Sequence, residues 1–139
     1  MKNKRKRYFL LCIAAVTCFG CMGQSAYLTA GRSEVMTILG ERGIEVMQED
    51  SGHVHSVDSN SLRNVITYFT EGVCTSVVTT FQRSDDFERV VEFMNRRYES
   101  TGELNWRVEM DGGSDRITGY RMNGYDVIEE TFVESEKKE

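Results

Sequence analysis

The most regular pattern of apolar and polar positions lies in residues 84–100, SDDFERVVEFMNRRYES. Apolar side chains recur there at the spacing of one helix face, with charged residues between them. They are Phe87, Val90, Val91, Met94 and Tyr98. Asp85 and Glu88 have the spacing of a capping box at the start of this segment. The pattern predicts an amphipathic helix that buries one face.

A narrower stripe at the same spacing occurs earlier, in LTAGRSEVMTILGERG, residues 28–43. Its apolar positions are Val35, Ile38 and Leu39. Thr29, Gly31 and Ser33 are all candidate N-cap residues, and the helix is expected to begin near Ser33. Gly40 and Gly43 are expected to end the helix, because glycine adopts the left-handed C-cap conformation at little cost.

Runs rich in β-branched and aromatic residues predict two hairpins, one turning at Glu71-Gly72 and the other at Asn123-Gly124. Alternation of apolar and polar residues predicts two further strands. The predicted strands are residues 43–50, 62–70, 73–82, 103–110, 115–122 and 125–133. Residues 51–61 are small and polar, which indicates a loop or an irregular strand end.

The order of these elements is helix and three strands, followed again by helix and three strands. It predicts an α+β fold with two layers, in which two helices pack on one face of an antiparallel sheet in a pseudo-duplicated αβββ-αβββ order. We expect a single domain over residues 27–133, followed by a charged tail at 134–139.

The chain begins with five basic residues within MKNKRKR and continues into an apolar run that ends in small residues. This is the pattern of a secretory signal over residues 1–23, and the apolar run is shorter than a membrane-spanning helix requires. Two alternatives stay open for its end. Simple cleavage after Gly23 is one, and lipidation of Cys21 after cleavage before it is the other. Either way we expect an exported protein, periplasmic or secreted, or lipid-anchored in the envelope.

Loss of the signal removes five of the 17 Lys and Arg residues and leaves all 22 Asp and Glu residues. A protein this acidic repels phosphate backbones, which argues against a nucleic-acid partner. Three of the four cysteines precede Gly23, so Cys74 is the only cysteine certain to remain after cleavage. One cysteine cannot form an internal disulfide.

The N-terminal half resembles small exported proteins of the BamE/SmpA type and the related fold of β-lactamase inhibitory protein. The resemblance covers residues 29–81 and is carried by the capped helix and by the run VITYFTEGVCTSVVTTF. The matching helix positions are Thr29, Gly31, Ser33, Val35, Leu39 and Gly40. It implies a small envelope or secreted module that binds other proteins without catalysis. Members of the family have a proline after the glycine, whereas this chain has no proline.

Candidate chemistry is sparse. His53 and His55 point to the same side of an extended segment, which suits two ligands of one metal ion, but a zinc site normally needs three protein ligands. Two exposed histidines in a polar loop are the simpler interpretation. Cys74 is flanked by Val73 and Thr75, a setting in which cysteine usually behaves as a small hydrophobe and not as a nucleophile. No cofactor is expected.

Both faces of the predicted hairpins carry large apolar side chains, although the uncovered face of an antiparallel sheet is normally polar. If the first hairpin turns at Glu71-Gly72, Phe69 pairs with Cys74 and Ile66 with Val77. An apolar open face indicates a surface for a protein partner or for self-association. Its predicted residues are Val65, Phe69, Tyr120 and Tyr125.

The sequence therefore predicts an exported, non-catalytic protein-binding or assembly module of the cell envelope, and not an enzyme. The alternatives are a secreted protein inhibitor, or a small metal-binding or enzymatic domain that uses His53 and His55. A membrane is expected to be contacted only through a lipid at Cys21.

Overall fold

A computed structural model of the chain describes residues 24–136. The helices are α1 (Gln24–Tyr27), α2 (Arg32–Glu41) and α3 (Ser84–Arg97). The strands are β1 (Glu45–Glu49), β2 (His53–Asp58), β3 (Arg63–Thr70), β4 (Val73–Phe81), β5 (Glu99–Gly102), β6 (Asn105–Met110), β7 (Gly113–Met122) and β8 (Tyr125–Glu134).

All eight strands belong to one antiparallel sheet with the order β1-β2-β3-β4-β8-β7-β6-β5. The first four strands form one meander and the last four form another, each preceded by a helix. The two meanders meet where β4 pairs with β8, the last strand of each. One strand pair therefore joins the two halves of the sheet, and β1 and β5 are its free edges.

The predicted fold class, α+β in αβββ-αβββ order, is wrong. The chain is mostly β, with a single eight-stranded sheet and four strands after each helix. The two strands that the sequence did not reveal are β2 and β5. Residues 53–58 were expected in a loop or an irregular strand end because they are small and polar. In the structure they form β2, and polar Ser56 takes an inward-facing position in it. Residues 99–102 are exposed on an edge and show no alternation of apolar and polar residues.

Both main helices pack on the same face of the sheet, which we call the helix face. A row of directly paired residues crosses six strands on this face, and each is at most 2% exposed. The row is Val54, Thr67, Val77, Glu130, Ile117 and Trp106. Helix α2 contributes its apolar side to the cluster over the first half, and α3 contributes to the cluster over the second.

The predicted face of α3 is confirmed, since Phe87, Val90, Val91 and Met94 are buried. Its predicted capping box is wrong, because Arg83 is the N-cap residue and no side chain caps the helix. Helix α2 likewise has Gly31 as N-cap with no side-chain cap bond, so Ser33 is not the cap.

Helix α2 continues through Gly40 to Glu41, and Gly43, two residues further on, turns the chain away from it. Gly43 has a φ of +67°, and the N–H groups of Gly43 and Ile44 donate to the carbonyls of Gly40 and Leu39 at 3.1 and 2.9 Å. This pattern is a Schellman motif, in which a left-handed glycine lets the chain turn back and satisfy the last carbonyls. Ile44 packs in the same cluster as Leu39, which directs the chain into β1.

The first hairpin contains a β-bulge that changes its register. Phe69 pairs with Cys74 as predicted, but a shift between Tyr68 and Phe69 pairs Ile66 with Val78 and not with Val77. Because side chains alternate between faces, one extra residue moves every later side chain to the other face. The bulge therefore places Val77 on the helix face and Val78 on the opposite face.

Candidate interaction face and a buried carboxyl pair

The face of the sheet opposite α2 and α3, which we call the open face, carries a diagonal band of apolar side chains. Cross-strand pairing places Ile66 beside Val78, and Val127 beside Tyr120. Tyr68 lies on the same face of β3, two residues after Ile66. Met122 and Tyr125 lie beside the β7–β8 turn, next to Tyr120 and Val127. We call these residues the tyrosine band; its members are Ile66, Tyr68, Val78, Tyr120, Met122, Tyr125 and Val127.

Large side chains of this band are exposed to solvent. Tyr68 is 41% exposed, and Met122 and Tyr125 are each 55% exposed. Only a few large apolar side chains are this exposed among residues 24–136, and three of them share this face. Grouped exposed apolar residues mark interaction surfaces more often than residues scattered singly do.

The tyrosine band includes one carboxylate contact. The Tyr120 hydroxyl donates to Glu129 Oε2 at 3.3 Å. Partial burial raises the pKa of Tyr120 above its ordinary value, and Glu129 and then Tyr68 add to the increase. Glu129 is thus half-buried and in contact with a phenol on the open face.

The structure divides the predicted interaction residues between the two faces. Tyr120 and Tyr125 lie on the open face. Val65 and Phe69 lie on the helix face, where Phe69 is 8% exposed and Val65 packs against the cluster under α2. The four residues therefore do not form one surface. On β3 it is Ile66 and Tyr68 that lie on the open face.

The two histidines lie on β2 at the margin of the open face, paired with Tyr68 and Ile66. His53 Nδ1 contacts Asp50 Oδ2 at 2.9 Å, and His55 Nε2 lies 3.3 Å from Asn64 Oδ1. Each ring is held by a different neighbour. Within residues 24–136 no group of three or more His, Cys, Asp or Glu side chains is arranged to hold a metal ion.

The backbone N–H groups of Gly52 and His53 both donate to Asp50 Oδ1, at 2.8 and 2.9 Å. These hydrogen bonds lower the pKa of Asp50, the one from Gly52 most. The Asp50 carboxylate thereby stabilises the turn between β1 and β2, in addition to its contact with His53.

Cys74 is fully buried on the helix face of β4, and its thiol lies 3.5 Å from the carbonyl of Ser76. Burial raises the pKa of Cys74 to about 12. A thiolate is the nucleophilic form of cysteine, and this environment suppresses it.

A pair of acidic side chains that the sequence did not single out lies in the interior. Asp115 on β7 is 1% exposed and Glu130 on β8 is 2% exposed. They are diagonal neighbours on the helix face, because Glu130 pairs with Ile117 and Asp115 pairs with Phe132. Burial raises the pKa of Asp115 to about 6, and a hydrogen bond with Glu130 opposes this increase.

The carboxyl pair lies where the two halves of the molecule meet. Glu130 pairs with Val77 of β4, and its backbone carbonyl accepts a hydrogen bond of 3.0 Å from Ser76 Oγ. Phe132 belongs to the cluster under α2, whereas Ile117 belongs to the cluster under α3. Glu130 is therefore buried on the helix face, although Glu129 beside it in the chain lies on the open face.

The predicted signal segment, residues 1–23, and Cys21 lie outside the described residues. Across residues 24–136, no helix combines the length and the apolar character needed to span a membrane. No protein-family model, curated protein or solved structure matches this chain. The resemblance of residues 29–81 to BamE/SmpA-type proteins and to β-lactamase inhibitory protein therefore stays a prediction.

Proposed function

We propose that this protein is an exported, non-catalytic protein-binding or assembly module of the cell envelope, and that its partner docks on the open face. The tyrosine band is the observation that carries the proposal. It places three exposed large side chains, Tyr68, Met122 and Tyr125, on one side of the sheet. Tyrosine and methionine are enriched in protein interfaces, since both supply apolar contact area, and tyrosine adds a hydrogen bond.

The architecture supports the same proposal. The helices cover the other side of the sheet, so the tyrosine band is presented by a backbone that is fixed from behind. A site built on paired strands is held more rigidly than one on loops. A preorganised surface loses less conformational entropy when the partner binds.

Export is proposed from the basic and apolar N-terminal segment alone. Lipidation at Cys21 would hold the module at a membrane, whereas cleavage after Gly23 would release it. Binding through the open face is compatible with either arrangement. It is equally compatible with a secreted inhibitor that covers the surface of another protein.

Site-specific photocrosslinking tests the proposal in cells that make the full chain. A photoreactive phenylalanine analogue replaces Tyr125 on the open face or, as the matched control, Arg89 on the exposed side of α3. We expect a discrete protein adduct from position 125 and none from position 89. Adducts of equal yield from both positions, or none from position 125, contradict the proposal. Mass spectrometry of the adduct separates an envelope component from a foreign target of inhibition and from a second copy.

A further inference from the structure

The open face has a carboxylate in the middle of its apolar band. Glu129 on β8 pairs with Val78 of β4 on one side and with Thr118 of β7 on the other. Neither paired neighbour carries a charge. A half-buried carboxylate such as Glu129, with apolar neighbours, attracts a cationic group from a partner more strongly than a fully exposed one does.

Two tyrosines lie on opposite sides of the cross-strand row that holds Glu129, Tyr120 on the neighbouring strand β7 and Tyr68 two strands away on β3. Tyr68 lies one row before Glu129 and Tyr120 lies one row after it, with Ile66 and Val78 in the row between them. Tyr68 contacts the ring of His53, at 6.3 Å between centroids. Within residues 24–136 the rings of Tyr68 and Tyr120 make no contact with each other, although Tyr68 is near enough to influence the Tyr120 phenol.

From this arrangement we infer that the partner inserts an arginine side chain between Tyr68 and Tyr120, with its guanidinium at Glu129. The apolar stem of the arginine lies over Ile66 and Val78. This inference rests on the proposed function and names the chemistry of the group that the open face binds.

Arginine fits this site better than lysine does. The guanidinium is planar, so it stacks on tyrosine rings and also forms paired hydrogen bonds with a carboxylate. Its long aliphatic stem covers apolar surface while its charged end meets the acceptor. The Tyr120 hydroxyl already occupies one side of Glu129 Oε2 and fixes the carboxylate for the incoming group.

Arg116 limits the site on one side. It lies on the open face of β7, paired with Thr131, diagonally across from Glu129. Its side chain is exposed and forms no ion pair with the residues that the structure describes. Arg116 therefore repels a second cation and directs the incoming arginine toward Tyr120, the far side of Glu129.

Peptides of the form Ac-Gly-Ser-X-Ser-Gly-amide test the inference, with X as Arg, Lys, Gln, Leu or Glu. They are titrated into the isotope-labelled exported protein, and backbone amide shifts of β3, β7 and β8 are followed by NMR. We expect the Arg peptide to bind about tenfold more tightly than the Gln peptide, as one charge-assisted contact predicts. Glu129→Gln removes this preference, while Glu99→Gln, a change on the exposed edge strand of the same face, keeps it. Arg116→Ala strengthens binding of the Arg peptide.

Equal binding of the Arg, Gln and Leu peptides overturns the inference, and so does an Arg preference that survives Glu129→Gln. An absence of shifts with all five peptides overturns it as well. None of these results bears on the crosslink from position 125, so the open face can still be a protein-binding surface with a different anchor. Loss of that crosslink contradicts the proposed function itself.

Discussion

Asp115 and Glu130 share a hydrogen bond inside the helix face, each at most 2% exposed. Two carboxyl groups can share a hydrogen bond only if one of them holds a proton, because carboxylates have no donor. Burial also favours the neutral form of each carboxyl, because desolvation penalises charge. The contact lies beside the β4–β8 pairing, so the charge of this pair acts where the two meanders meet.

The pair makes stability depend on pH. The pKa of Asp115 rises from 3.8 to about 6 on folding. A carboxyl whose pKa is raised stabilises the folded state fully below its unfolded pKa, and this contribution is lost as the pH rises through its folded pKa. The shift corresponds to about 3 kcal/mol. We expect the free energy of unfolding of Asp115→Asn to exceed that of wild type by about 3 kcal/mol at pH 7.5 and to be about equal to it at pH 4.

Urea unfolding at several pH values measures this difference, followed by the fluorescence of the single tryptophan. Asp111→Asn is the control, because Asp111 is an exposed carboxylate at the turn before β7. This control separates the effect of the buried position from that of replacing a carboxylate with an amide. A constant difference between Asp115→Asn and wild type from pH 4 to 7.5 would mean that Asp115 does not titrate in this range.

Gly113 allows β7 and β8 to pack closely at the end of the sheet. A Cβ at this position would meet the carbonyl oxygen of Val133 and would lie 2.7 Å from a ring carbon of Phe132. Backbone cannot move aside as a flexible side chain can, so Gly113→Ala should lower the free energy of unfolding by about 3 kcal/mol, the upper part of the range for overpacking. Thermal and urea unfolding measure it.

Gly40 provides the matched control for this substitution. It lies within α2, and a Cβ there meets nothing within 4 Å. Gly40→Ala should raise the free energy of unfolding by about 0.5–1 kcal/mol, because alanine favours a helix interior over glycine. If the two variants have equal stability, the close approach at Gly113 has no energetic consequence.

Features with a strong local signal were predictable from the sequence. The buried face of α3 follows from its spacing, and both hairpin turns follow from two-residue glycine signals. Glu71-Gly72 and Asn123-Gly124 have positive φ values at both positions, as the predicted turns require. These features depend on a few neighbouring residues, so the pattern of apolar and polar positions contains them.

Features that depend on distant strands were not predictable. The bulge at Tyr68 and Phe69 has no local marker, and it decides which of Val77 and Val78 faces the helices. Strand β2 places Ser56 in the interior beside Val65, to whose carbonyl the Ser56 hydroxyl donates. Polar residues satisfied in this way do not give an alternating pattern. Asp115 was also overlooked, because its burial arises only when β7 lies between β6 and β8.

The environment of Cys74 predicts an unreactive thiol. Burial raises its pKa to about 12, so at pH 8 the thiolate fraction falls by about a thousandfold relative to an ordinary cysteine. We expect iodoacetamide to modify Cys74 at least a thousandfold more slowly in the folded protein than in 8 M urea. Peptide mapping identifies the modified residue and separates it from any cysteine retained near the N-terminus. Comparable rates in the two states would show that β4 exposes this side chain.

A hydrogen bond joins α3 to β6. Trp106 is 2% exposed, and its indole Nε1 donates to Asn95 Oδ1 at 2.9 Å. Asn95→Ala leaves a buried donor without its acceptor, which should lower the free energy of unfolding by about 1–3 kcal/mol. Asn95→Asp keeps an acceptor oxygen and should preserve most of the stability. Arg96→Ala, at the neighbouring position, which is exposed as Asn95 is, should change it by less than about 0.5 kcal/mol.

The fluorescence of Trp106 reports on this contact directly, because it is the only tryptophan in the chain. An indole that loses its hydrogen bond but stays buried emits at shorter wavelength, and we expect that shift for Asn95→Ala alone among the three variants. A shift to longer wavelength would show instead that water enters between α3 and β6. If Asn95→Ala and Arg96→Ala lose equal stability, the helix is held to the second half by its apolar side chains and the indole contact contributes nothing measurable.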